Sequence, residues 1–144
     1  MIALRRKAER ALMEEFRHRR VQKEYIALVD GIVVQEQGVI SVPLSRCVGL
    51  PPRSIVDWEK GKQAHTEYKV LDHQEGFSRI RLFPKTGRSH QLRIHMKYIG
   101  HPILGDRFYF SDSKADRLML HAQTIEYTHP YHKDVMRCSS KSPF

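Results

Sequence analysis

The sequence predicts an α+β domain built on a mixed, largely antiparallel sheet with flanking helices. Three observations carry that prediction. Short runs of alternating apolar residues recur along the chain, only two stretches switch to helical spacing, and the strand-like runs mostly follow one another instead of alternating with helices. With 144 residues and 40% hydrophobic content, the chain suits a single domain, 1–144, that buries a core without disulfide or metal.

Leu4, Ala8, Ala11, Leu12 and Phe16 share one face while Arg5, Arg6, Arg10, Glu14 and Arg17 lie mostly elsewhere, so residues 3–20 read as an amphipathic helix. No Ser, Thr, Asp or Asn stands at its start to cap it. In EYIALVDG, Tyr25, Ala27 and Val29 point to one side and Ile26 and Leu28 to the other, a strand buried on both faces. Ile40, Val42 and Leu44 alternate in the next strand. Residues 45–63, with Gly49, Pro51, Pro52 and Gly61, read as a long irregular connector.

Thr66, Tyr68 and Val70 alternate with charged neighbours, as do Ile80 and Leu82, which predicts a hairpin turning near Gln74-Glu75-Gly76. Leu92, His95, Met96 and Ile99 then take helical spacing over 90–99, with Ser89 as candidate N-cap and Gly100 and Pro102 as stop signals. RLMLHAQTIEYT predicts one or two final strands, and His129 to Phe144 shows no period.

The charge balance bears on partners. A net charge of +9 favours polyanions such as nucleic acid or an anionic membrane surface. No run of about 18 apolar residues offers a membrane-spanning helix, and Met1 to Arg20 is charged throughout, unlike a signal peptide. A soluble, cytoplasmic protein is expected, with Cys47 and Cys138 as reduced thiols outside any C-x-x-C pair.

The densest chemistry lies in TGRSHQLRIH, Thr86 to His95. His90 and His95 are five residues apart, about 140° around a helix, unlike a metal pair that shares a face. No metal is expected. Thr86-Gly87-Arg88-Ser89 occupies a strand-to-helix turn of the kind that binds anions, and Gly87 lets the backbone approach closely. Residues 76–107 carry Arg79, Arg81, Lys85, Arg88, Arg93, Lys97 and Arg107 against the single acid Asp106, which suits RNA phosphates. Tyr25 is a candidate platform for a base, and a partly buried Arg93 needs a carboxylate or phosphate partner.

TGRSHQLRIHMKYIGHPILGDRFY closely resembles the signature of the RluA-type RNA pseudouridine synthases, RLMLHA and THP resemble that family's closing strands, and KEYIALVDG its K-x-Y-x-A-x-V-x-G strand. The resemblance runs from about Ala3 to the C-terminus. It implies an isomerase for RNA modification that converts uridine to pseudouridine without cofactor or metal, acting on large-subunit ribosomal RNA and possibly transfer RNA. Arg93 resembles the arginine that pairs with the attacking aspartate, and Tyr25 the tyrosine that stacks near the uracil. RNA contacts are expected from Lys85, Thr86, Arg88, Ser89, His90, Gln91, Lys97 and Arg107.

One part of the family pattern is absent from these 144 residues: the motif His-Arg-Leu-Asp-x-x-Thr-Ser-Gly that carries the aspartate. Asp30, Asp57, Asp72 and Asp106 all stand in the wrong context. The resemblance therefore implies the C-terminal portion of a pseudouridine synthase catalytic domain, N-terminally truncated and inactive alone, whose Arg93 points at a carboxylate outside the chain. The alternative is a non-catalytic RNA-binding module or partner subunit.

Overall fold

The computed structural model describes residues 2–49 and 51–144. Its elements are α1 (Arg6–Arg17), β1 (Gln22–Asp30), β2 (Gln37–Ser41), β3 (Leu44–Cys47), β4 (Arg53–Val56), β5 (His65–Gln74), β6 (Phe77–Pro84), α2 (Gln91–Tyr98), β7 (Leu120–Thr128) and β8 (Val135–Ser139). Six strands form one sheet in the order β2-β5-β6-β1-β7-β8, and β3 pairs with β4 in a separate ribbon. Every ladder between these strands is antiparallel, which makes the α+β prediction correct and its allowance for a mixed sheet unnecessary.

The central strands follow the apolar pattern closely. In β6 the buried residues Ser78, Ile80, Leu82 and Pro84 alternate with half-buried ones, and β1 buries Ile26, Ala27 and Val29. The β5–β6 hairpin turns at Glu75-Gly76, where Gly76 takes a φ of 82° that a side chain would resist. Ala27, Val29, Ile80 and Leu82 meet Leu92, Ile94 and Met96 of α2 and Ile103 in one core. Burying these aliphatic side chains contributes roughly 1.5–3 kcal/mol each.

Beyond α2 the chain returns to the end of β1. Ile103 bridges to Val29, and Leu104 N–H donates to Leu28 C=O, so this segment is fixed against the central sheet. Gly105 then turns at a φ of 75°, and any Cβ there would run into the Arg117 carbonyl. That turn carries Asp106 inward, where it is 1% exposed.

Two peripheral strand regions and both helices differ from expectation. The predicted connector 45–63 holds most of the β3–β4 hairpin, whose short strands give too few alternations to register. The tail contains β8, and all five of its residues are exposed, so a strand without a buried face leaves no period. The two helices are shorter than 3–20 and 90–99: Leu4 is 93% exposed and precedes α1, while α2 begins one residue later than predicted. Ser89 is not the N-cap. His90 occupies that position in a left-handed conformation, with no side-chain capping bond. Among the described residues no helix is long and apolar enough to cross a membrane.

Candidate functional site

Lys23 and Tyr25 are two residues apart on β1, so both side chains leave the same face of the sheet. Opposite Tyr25 the β1–β7 register shifts between Glu24 and Tyr25, a bulge of the kind that re-aims side chains beside functional sites. Tyr25, Lys23, Phe16, Arg88, His90 and Arg93 all line one cavity of about 470 Å³. A second cavity of about 600 Å³ shares Phe16, Lys23, Thr86, Gly87 and Arg88 with the first and adds Arg17, Arg19 and Lys85. The two form a cationic groove across the turn that precedes α2.

The turn is held from behind by a closed polar network. His65 N–H donates to Thr86 Oγ1 at 3.0 Å, and Thr86 O–H donates to Gln91 Oε1 at 2.6 Å. Gln91 Oε1 also accepts Arg88 N–H at 3.0 Å, while its Nε2 donates to His65 C=O at 2.9 Å and Thr66 Oγ1 at 3.0 Å. The Thr66 hydroxyl bonds His95 Nδ1 at 2.8 Å, and His95 Nε2–H donates to Val42 C=O at 3.3 Å. Thr86, Gln91, Thr66 and His95 are all buried. Their side-chain polar atoms are engaged within the protein, so Thr86 and Gln91 shape the turn while lining the cavity in front of it. His95 is a core histidine with both nitrogens bonded, and burial lowers its pKa.

Arg93 leaves α2 toward the cavity with a carboxylate already beside it. Its Nε donates to Asp106 Oδ2 at 2.9 Å and its Nη2 to Oδ1 at 2.6 Å, a bidentate pair. Within this chain, then, Arg93 already has a carboxylate partner in Asp106. Asp106 also holds its own turn, accepting Phe108 N–H at 3.1 Å and Tyr109 N–H at 3.2 Å, and still reaches Arg93. The guanidinium lies 4.9 Å from the Phe108 ring centroid and 5.0 Å from that of Tyr109. Hydrogen bonding to Asp106 raises its pKa further, so the charge is permanent.

The remaining predicted residues separate. Arg88 lines both cavities and braces its Nε against Gln63 C=O at 3.1 Å. Lys85 joins the larger one and pairs with Glu67 at 3.3 Å. Ser89 accepts Ser54 O–H on its carbonyl at 2.8 Å, leaving its own side chain exposed. Lys97 lies over the Tyr109 ring in a different pocket, and Arg107 is exposed beside the Asp116 carbonyl; neither lines the groove. Asp30, Asp57 and Asp72 are also outside it. Phe16, Arg17, Arg19 and Lys23 of the groove escape the sequence reading. Lys23 has a signal, its i,i+2 relation to Tyr25, and burial lowers its pKa while no ion pair to it occurs among the described residues. Phe16 has none, since its place on an apolar helix face marks it as core.

Burial also raises the pKa of Tyr25, so its phenol is neutral at neutral pH and offers a ring and a hydroxyl. The groove thus combines a neutral aromatic, a fixed guanidinium and several further cations. That combination suits a nucleotide whose base stacks and whose phosphates need counter-charge.

The comparisons with known proteins agree. A family model described as RNA pseudouridylate synthase matches residues 1–98. The chain is 47% identical over 134 residues to the dual-specificity RNA pseudouridine synthase RluA of Yersinia pestis, a match covering 90% of this chain and 65% of that protein. It is 42% identical over 148 residues to the enzyme of the same name from Escherichia coli K12, covering 100% of this chain and 68% of the relative. The chain thus spans about two thirds of the length of these curated relatives. Among solved structures, human RNA pseudouridylate synthase domain containing 1 superposes with a TM-score of 0.85 at 31% identity, covering 99% of this chain and 63% of that one. Human RNA pseudouridylate synthase domain containing 4, at 23% identity and a TM-score of 0.76, shares the fold. By sequence and by fold alike, this chain belongs to the RluA-type RNA pseudouridine synthase family.

Proposed function

We propose that the chain supplies the uridine pocket of an RNA pseudouridine synthase acting on large-subunit ribosomal RNA or transfer RNA. One observation carries this: Tyr25 and Arg93 open on a single cavity whose rim holds Lys23 and Arg88. A uridine flipped from the RNA stacks on the neutral Tyr25 ring, and the flanking phosphates are drawn by the groove cations. Arg93 presents a fixed charge that keeps a reacting carboxylate ionised in spite of burial. A cytoplasmic location belongs to the same reading, and the free thiols of Cys47 and Cys138 suit a reducing compartment.

Isomerisation requires a nucleophile, and no aspartate or glutamate lines the cavity among the described residues. Asp106 cannot serve: it is buried and its oxygens hold Arg93 and two backbone amides. The isolated 144-residue chain therefore binds RNA without isomerising it. The same missing carboxylate favours a second reading, a non-catalytic RNA-binding module or partner subunit.

Uridine isomerisation replaces the C5–H bond by a carbon–carbon bond to the ribose, so RNA tritiated at uridine C5 releases its label to water. The expected result is salt-sensitive binding with no release. Release at an ordinary enzymatic rate overturns the claim of inactivity. Release restored by a segment bearing His-Arg-Leu-Asp favours the synthase, and its failure favours the binding module.

A further inference from the structure

His90 has a φ of 54°, a left-handed conformation that costs a residue with a Cβ roughly 1–2 kcal/mol. Its carbonyl accepts Ile94 N–H, but its side chain makes no capping bond to α2. Strain retained without local compensation points to a side chain held for another purpose. The His90 ring packs in a three-ring cluster, 5.8 Å from Phe108 and 5.7 Å from Tyr109, the latter nearly edge-on at 78°.

The hydrogen bonds around Tyr109 bear on which ring nitrogen carries the proton. Ser54 N–H donates to the Tyr109 hydroxyl oxygen at 2.8 Å, and His90 Nδ1 lies 2.7 Å from that same oxygen. A backbone amide only donates, so the oxygen accepts from Ser54. Nδ1 is the acceptor within reach of the hydroxyl hydrogen among the described residues, and a bond in that direction puts the imidazole proton on Nε2. Burial, then the charge of Arg93, lowers the His90 pKa against an opposing pull from Asp106. His90 lines the cavity that holds Tyr25 and Arg93, whereas Tyr109 does not. With Nδ1 turned to Tyr109, Nε2 is the ring nitrogen left for the cavity.

We propose that Tyr109 is a positioning residue that fixes His90 as its Nε2–H tautomer and aims that N–H into the cavity as a donor to a uracil carbonyl. The choice of a uracil rests on the proposed uridine pocket; the tautomer does not. Ser54 belongs to β4, so the β3–β4 hairpin takes part in orienting a group that touches substrate.

Ring nitrogen chemical shifts of His90, read by NMR in the ligand-free 144-residue protein, test the first half. The Nε2–H form is expected at neutral pH, with a shift toward a mixture in Tyr109→Phe. A wild-type Nδ1–H ring, or a Tyr109→Phe ring unchanged from wild type, overturns the positioning role. Titration with uridine 5′-monophosphate tests the second half. His90→Gln keeps an N–H near the Nε2 position, whereas His90→Asn does not reach it, although asparagine tolerates positive φ. His90→Asn and Tyr109→Phe are expected to bind about three- to tenfold more weakly, the worth of one neutral hydrogen bond, with His90→Gln near wild type. Equal weakening in His90→Gln and His90→Asn overturns the donor role. A wild-type protein that ignores uridine monophosphate overturns the uridine reading and leaves the tautomer result standing.

Discussion

The turn before α2 has a buried side and an open side, built from interleaved residues of the same stretch. On the buried side Thr86, Gln91 and His95 satisfy one another and the β5 backbone, leaving no donor over. On the open side Arg88, His90 and Arg93 keep hydrogen-bonding capacity for something else. The contrast is physical. A polar group away from water must be bonded within the protein, whereas a group facing a groove can wait for a ligand. Each side should therefore fail in its own way, the first in stability and the second in affinity.

Gln91→Leu separates the two most sharply. It removes the acceptor for Thr86 O–H and Arg88 N–H and the donors to His65 and Thr66, all in a buried setting. Stability is expected to fall by about 2–4 kcal/mol, because several groups lose partners without regaining water. Urea unfolding with an unchanged m value checks this. A loss below about 0.5 kcal/mol, the range of a surface substitution, would mean that the network is not the support described.

His95 offers the next largest effect, through pH. A histidine ordinarily takes a proton near 6.5, and burial pushes this one down. Below that pH the unfolded chain binds a proton that the folded chain refuses, so stability is full above about 6.5 and falls as pH drops toward the folded value. The slope contributed is at most about 1.4 kcal/mol per pH unit. Unfolding curves between pH 7.5 and 5 in wild type and His95→Asn measure it; a slope equal in both would remove His95 as its source.

The buried side is legible in the sequence as pattern and the open side as chemistry, but the division between them is not. Alternation in β5 and β6 and the helical spacing of Leu92, His95 and Met96 locate the core correctly. Thr86 and Gln91 look like RNA contacts because a run of polar residues carries no sign of which members turn inward. Asp106 reads as a turn residue and not as the partner of Arg93, since a separation of 13 in sequence hides a bidentate pair. The β3–β4 hairpin and β8 escape for the reason that makes them peripheral: neither strand pair has a continuous buried face to impose a period.

On the open side, Lys23→Met and Arg88→Ala should each weaken RNA binding several-fold and lower the slope of log affinity against log salt by about 1, the mark of one lost phosphate contact. Stability should hold or rise slightly in Lys23→Met, because burial already disfavours that charge and methionine keeps the apolar stem. Filter binding across a salt series together with urea unfolding gives both readouts. A variant that loses stability while keeping its salt slope would exchange the roles of the two sides.

Lys97→Ala and Arg107→Ala should show the smallest effects, and they test whether charge or placement governs binding. Composition alone treats all seven cations of residues 76–107 alike. The structure does not, since Lys97 sits over the Tyr109 ring in a separate pocket and Arg107 lies beside the Asp116 carbonyl. If long-range potential dominated, removing any one cation would lower affinity by a similar factor at low salt. If the groove dominates, these two variants lose little, and what they lose disappears above about 0.15 M salt, where the screening length is about 8 Å. A salt slope for Lys97→Ala as reduced as that for Arg88→Ala would mean that RNA crosses the Lys97 face as well, extending the open side around the far end of α2.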